Sequence, residues 1–120
     1  MIGNSRTAEI KRSQKESLFL REISQLFMEL SADQPVLQGL VISRTKFSAD
    51  KSVCMVFFYS PHGIKIFEEK LKTLTLFKPS LRKALAHRIK GRYTPDLVFM
   101  YDAQLEKQQE LEELIESIKE

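Results

Sequence analysis

The sequence predicts an α+β domain built on a three-stranded sheet, and three observations carry that prediction. Apolar residues recur with helical periodicity from Ile10 to Leu30, from Ile64 to Phe77, from Leu81 to Ile89 and again from Leu105 to Ile118, the period of a half-buried helix. Two runs rich in β-branched and aromatic residues, Leu40 to Phe47 and Val53 to Tyr59, flank Ser48-Ala49-Asp50-Lys51-Ser52, which has turn chemistry. A third such run, Leu97 to Tyr101, follows Pro95-Asp96. The expected order is α-β-β-α-α-β with an additional C-terminal helix. With 120 residues, 42% of them hydrophobic, residues 1–120 are expected to form a single domain with a real core.

The first helix is expected from Arg6 to Leu30. Leu18, Phe19, Ile23, Leu26, Phe27 and Leu30 give its second half a core face, and Arg6, Lys11, Arg12 and Lys15 make the first half polar. Asp33, Pro35 and Gly39 then break it, since proline lacks the amide proton and glycine permits turn dihedrals. In the first strand Leu40, Ile42 and Phe47 are expected to pack, with Arg44 and Lys46 on the other side. The second strand is apolar on both faces, Val53, Met55, Phe57 and Tyr59 alternating with Cys54, Val56 and Phe58, and so is expected to be central.

Pro61-His62-Gly63 ends that strand. Ile66, Phe67, Leu71, Leu74 and Phe77 form one face of the next helix, and Pro79 is placed to open another, giving a kinked pair. On the second of the pair Leu81, Ala84, Leu85 and Ile89 share an apolar face, Lys83, His87 and Lys90 the opposite one, and Gly91 is the expected cap. Leu105, Leu111, Leu114, Ile115 and Ile118 supply the apolar side of a Glu-rich last helix over 103–120.

Charge is the strongest pointer to function. Lys78, Arg82, Lys83, Arg88, Lys90 and Arg92 come from a stretch, 78–95, that contains no acid. Concentrated positive charge of this kind suits a phosphate backbone, so nucleic acid is the first partner expected. The net charge of +3 hides an asymmetry: residues 1–95 hold 17 Lys/Arg against 8 Asp/Glu, and residues 96–120 hold 2 against 8. A basic body thus carries an acidic tail.

Other chemistries find little support. No apolar run approaches the roughly 18 residues of a membrane span, and the N-terminus has charges where a signal peptide needs its apolar centre, so a cytoplasmic protein is expected. Cys54 is the one cysteine and sits in an apolar run, which favours a buried thiol over a nucleophile. His62 and His87 lack partners at metal-ligand spacing, and Asp33, Asp50, Asp96 and Asp102 read as turn or cap residues. There is no nucleophile elbow and no glycine-rich phosphate loop among 4 Gly. Neither an enzyme, a metal, a cofactor nor a small-molecule substrate is expected.

Two blocks resemble the ribosome-binding factor A family. The first runs from Asp33, Pro35, Leu37 and Gly39 through Leu40-Val41-Ile42-Ser43-Arg44 to Phe47-Ser48-Ala49-Asp50, similar to the pattern D-P-x-L-x-x-V-T-V-x-x-V-x-V-S-x-D with one extra residue between Asp33 and Pro35. The second, more specific block is Leu81-Arg82, Leu85, Arg88-Ile89, Arg92-Tyr93-Thr94-Pro95-Asp96-Leu97, Phe99 and Asp102, which looks like a basic helix ending in R-x-x-P-E-L-x-F-x-x-D. The resemblance implies a type II KH-like domain. It also implies a monomeric factor that binds free small (30S) ribosomal subunits, supports late maturation and processing of 16S rRNA without chemistry of its own, and assists adaptation to cold.

KH modules hold nucleotides with a GXXG loop, which the family replaces by an Ala-x-Gly kink. The matching positions here are Phe77 and Pro79. Side-chain cations are therefore expected to carry the binding: Lys78, Arg82, Lys83, Arg88, Lys90 and Arg92, helped by Arg44 and Lys46. Two rivals stay open, a protein-interaction module that uses the helix from Glu106 to Glu120 and a generic KH RNA-binding protein. A nuclease would need a metal-binding carboxylate cluster.

Overall fold

The computed structural model describes residues 2–89 and 94–119, with side chains from 7 onward in the first helix. Its elements are α1 (Ile2–Asp33), a 3₁₀ turn (Pro35–Leu37), β1 (Val41–Phe47), β2 (Val53–Tyr59), α2 (Ile64–Arg88), β3 (Asp96–Tyr101) and α3 (Ala103–Lys119). The sheet has the order β1-β2-β3, with β1 antiparallel and β3 parallel to β2. The two-sided apolar strand is therefore central, as its composition requires. A parallel neighbour needs a crossover, and α2 supplies it.

α1 and α2 cover one face of the sheet. Phe19, Ile23, Leu26 and Phe27 of α1 meet Cys54, Val56 and Phe58 of β2, while Phe67, Leu74, Leu81 and Leu85 close the core from α2. Phe58 is its hub: its ring lies 5.2 Å from Phe27, 5.9 Å from Phe67 and 5.4 Å from Phe99, so one side chain joins α1, α2 and β3. The exposed Ile10 shows that the first half of α1 leaves the core, and no residue of α3 is buried. A radius of gyration of 16.3 Å, against roughly 14 Å for a globular chain of this length, reflects those projecting helices.

The two helices expected between Ile64 and Gly91 are one. α2 runs unbroken from Ile64 to Arg88 with Pro79 inside it. The physical reason is phase: buried Phe67, Leu74 and Leu81 recur every seven residues across the proline and keep both halves on the same sheet face. Pro79 still removes the amide that would bond the carbonyl of Thr75 and crowds that carbonyl with its ring. The helix ends where the Ile89 amide bonds the Leu85 carbonyl at 2.9 Å, and the expected cap, Gly91, lies outside the described residues.

β1 contains a bulge that the alternation of its residues demands. Ile42 pairs with Phe58 and Arg44 with Phe57, leaving Ser43 as the extra residue. Ile42, Thr45 and Phe47 thereby share the core face although their numbers change parity, and Arg44 and Lys46 turn to the open face. The outer edge of β1 is closed by α1: the Glu16 carboxylate accepts the Phe47 amide at 2.7 Å, and the Thr45 hydroxyl donates to the Glu16 carbonyl at 2.7 Å. In the β1–β2 turn Asp50 accepts the Ser52 and Ser48 hydroxyls and the Ser52 amide, which lowers its pKa to about 2. Asp50 is thus a turn residue.

Asp102 ties the far end of the sheet together. The residue is 2% exposed, and its carboxylate accepts the Ser43 hydroxyl at 2.7 Å, Arg44 Nε at 3.0 Å and the Leu105 amide at 3.0 Å. Burial pushes this carboxyl up; the bonds from Ser43, from the Leu105 amide and from Arg44 outweigh burial, and it titrates below its ordinary value.

A carboxyl depressed in the fold contributes its full stability above the ordinary value of 3.8 and loses it as pH falls through the lower folded value. Asp102→Asn should cost about 2 kcal/mol in urea unfolding at pH 7, and the difference from the parent should shrink on acidification; a constant difference refutes the assignment. Pro79→Ala should raise stability by about 1–3 kcal/mol by restoring an intrahelical bond, and an unchanged or lower Tm contradicts this reading of α2.

Candidate nucleic-acid interface

The second half of α2 lies beside β3, and buried Leu81 and Leu85 fix which of its faces turns outward. Each expected cation then has a definite place. Lys78 is half-buried, its Nζ 5.2 Å from the centroid of the Phe99 ring, near enough for a cation–π attraction. Arg82 donates from Nε to the Pro95 carbonyl at 3.2 Å and from a terminal nitrogen to the Thr94 carbonyl at 2.9 Å. It braces the entry to β3 and, being exposed, keeps its charge and remaining donors outward. Lys83 and His87 are exposed on the outer face.

Arg88 has a different setting. Its guanidinium donates to both Glu29 carboxylate oxygens, at 3.0 and 3.1 Å, and to Gln25 Oε1 at 3.3 Å, and lies 3.7 Å from Glu22. Two glutamates of α1 therefore meet its charge, and Arg88 clamps α2 to α1. The sequence holds a signal for this that a charge count misses: Glu22, Gln25 and Glu29 sit at helical spacing along the border of the apolar stripe of α1. Lys90 and Arg92 lie outside the described residues.

Arg44 and Lys46 belong to a second location, the sheet face that the helices leave open. Arg44 pairs with Asp102, and its guanidinium carbon sits 4.0 Å above the Phe57 ring, which explains why an aromatic on an open face is only 9% exposed. Lys46 is exposed next to it. Val98 and Met100 of β3 are exposed on the same face. The expected site residues that are described thus form two groups on opposite faces of the sheet, Lys78, Arg82, Lys83 and Arg88 along α2 and Arg44 and Lys46 on β1.

The remaining polar groups have structural settings. Cys54 is 1% exposed, and burial, with the nearby Glu16 charge, pushes its thiol up to about 12, which makes it inert at neutral pH. Asp96 accepts its neighbour's amide at the start of β3. Among the described residues no group of three or more His, Cys, Asp or Glu is placed to hold a metal ion, and no helix is long and apolar enough to cross a membrane.

Known proteins share this fold. A family model described as ribosome-binding factor A matches residues 11–115. Ribosome-binding factor A of Prochlorococcus marinus (strain MIT 9215) is 28% identical over 119 residues, covering 99% of this chain and 88% of its own length. That of Clostridium novyi (strain NT) is 32% identical over 107 residues, covering 83% of each chain. The crystal structure of ribosome-binding factor A from Thermus thermophilus superposes with a TM-score of 0.64 at 26% identity, covering 73% of this chain and 92% of that one. From the central strand with its parallel neighbour to the basic crossover helix, the fold is KH-like, and the chain belongs to the ribosome-binding factor A family.

Proposed function

We propose that this protein is a monomeric cytoplasmic factor, a single RNA-binding domain over residues 1–120, that associates with free small ribosomal subunits and supports late maturation of their 16S rRNA without catalysis. The observation that supports this is the acid-free basic stretch 78–95, of which Lys78, Arg82 and Lys83 lie on the second half of α2, beside β3. A helix face that presents cations and no carboxylate holds phosphates mainly by charge, and shape supplies the selectivity.

Within this reading the described cations divide by their settings, and Lys90 and Arg92 are grouped with Lys83 on their charge alone. Lys83, Lys90 and Arg92 contact phosphate directly, Lys78 and Arg82 contribute charge from braced positions, and Lys46 extends the positive field on the other sheet face. Arg44 and Arg88 keep the surfaces in place through Asp102 and through Glu22 and Glu29. No glycine backbone takes part at the kink position, because Phe77 packs against the core and Pro79 has no donor.

Three results test this. On a gradient of cell extract the protein should migrate with free small subunits; migration with complete ribosomes or with soluble protein alone counts against it. Lys83→Glu with Lys90→Glu should release it from the subunits at unchanged Tm, and each phosphate that is no longer neutralised should flatten the log–log salt dependence by roughly 0.7 to 0.9. Arg82→Ala should behave differently, lowering stability by about 1–3 kcal/mol because two carbonyls lose a charged donor; full stability would place Arg82 among the residues that touch phosphate directly.

A further inference from the structure

α3 has two sides that serve different purposes. Leu105, Glu106 and Gln109 are half-buried and turn toward the domain. At 3.6 residues per turn, Leu111, Leu114, Ile115 and Ile118 form a stripe directed roughly 180° away from them. Their exposures are 56%, 56%, 44% and 75%. A single exposed leucine is ordinary, but four large apolar side chains in helical register are a surface built for a partner.

The helix that displays them is not a loose tail. The Asp102 amide bonds the Phe58 carbonyl at 2.7 Å, and the Asp102 carboxylate caps the Leu105 amide while held by Ser43 and Arg44. α3 therefore leaves the sheet as a strut, and its outward stripe has a fixed direction.

Charge decides what can cover the stripe. Glu110 and Glu112 border it, and residues 103–119 carry five Glu against two Lys. RNA phosphates are repelled by such a helix. Pairing of α3 with α3 of a second copy sets the same glutamates against one another. The fitting occupant is a protein surface with an apolar ridge flanked by lysine or arginine.

We propose that α3 docks on a Lys/Arg-flanked apolar surface of a ribosomal protein while the basic side of α2 engages RNA. This rests on the small-subunit reading above. The chain would then bind its subunit at two points of opposite charge, one on RNA and one on protein.

The test is site-specific crosslinking on purified immature small subunits. A Leu114→Cys variant takes a benzophenone maleimide at that position alone, because Cys54 is buried at 1% exposure. After co-sedimentation and irradiation the main adduct should map to a ribosomal-protein segment with basic residues around apolar ones. Leu111→Ser with Ile115→Ser should lower subunit affinity about fivefold or more at unchanged Tm and unchanged salt slope. Co-sedimentation with an adduct on rRNA, on a second copy of this chain or on nothing overturns the docking proposal alone. Failure of the unlabelled parent to co-sediment overturns the ribosomal reading and this one together.

Discussion

A charged carboxylate at the end of a sheet must be met by donors, and much of this molecule is arranged around meeting that need at Asp102. An unpaired charge there would be expelled or protonated. Its donors arrive from β1, through Ser43 and Arg44, and from the first turn of α3. Presenting two consecutive β1 side chains to one carboxylate requires the strand to bulge. The bulge then sets which later β1 residues reach the core and which, like Lys46, face solvent. Through the Leu105 amide the same carboxylate also sets the direction in which α3 leaves. One buried charge thus couples strand register, the covering of Phe57 by Arg44 and the placement of the acidic helix.

Positive charge is put to two uses that a residue count does not separate. Arg44, Arg82 and Arg88 each make several directed hydrogen bonds, to a carboxylate, to two backbone carbonyls and to an α1 cluster respectively. The planar guanidinium fork suits such bracing, whereas a lysine ammonium is a compact and hydrated point charge. Lys46 and Lys83 are exposed, and the charge they offer faces solvent. The division among these five follows side-chain chemistry: Arg44, Arg82 and Arg88 hold the frame, and Lys46 and Lys83 meet the solvent.

The central strand, the hairpin turn, the core faces of α1 and α2 and the buried thiol are legible in the sequence because burial and periodicity are local signals. Val53 to Tyr59 can only be central, since no other position hides two apolar faces. Pro79 reads locally as a helix start, which is where propensity places it. The seven-residue repetition of Phe67, Leu74 and Leu81 across it is a longer-range signal, and it prevails. Leu105 reads in the sequence as one apolar side with Leu111 and Leu114, although the helical angle between them sets them apart. The setting of Arg82 is not legible, because its partners are the backbone carbonyls of Thr94 and Pro95, and that of Arg88 is signalled only by the helical spacing of Glu22, Gln25 and Glu29, about sixty positions away. Charge counts see residues, whereas pairing depends on the fold that brings them together.

The unbroken course of α2 through Pro79 has a thermodynamic consequence. A glycine hinge samples many backbone states and must surrender them when a ligand fixes it; a helix whose two halves share one buried stripe has surrendered them on folding. In the proposed mode, association through the second half of α2 would therefore carry little ordering entropy of the backbone, and the favourable entropy of counterions released from the polyanion would appear with little offset. Such binding would depend only weakly on temperature and show a small heat-capacity change, since little further apolar surface would be folded away.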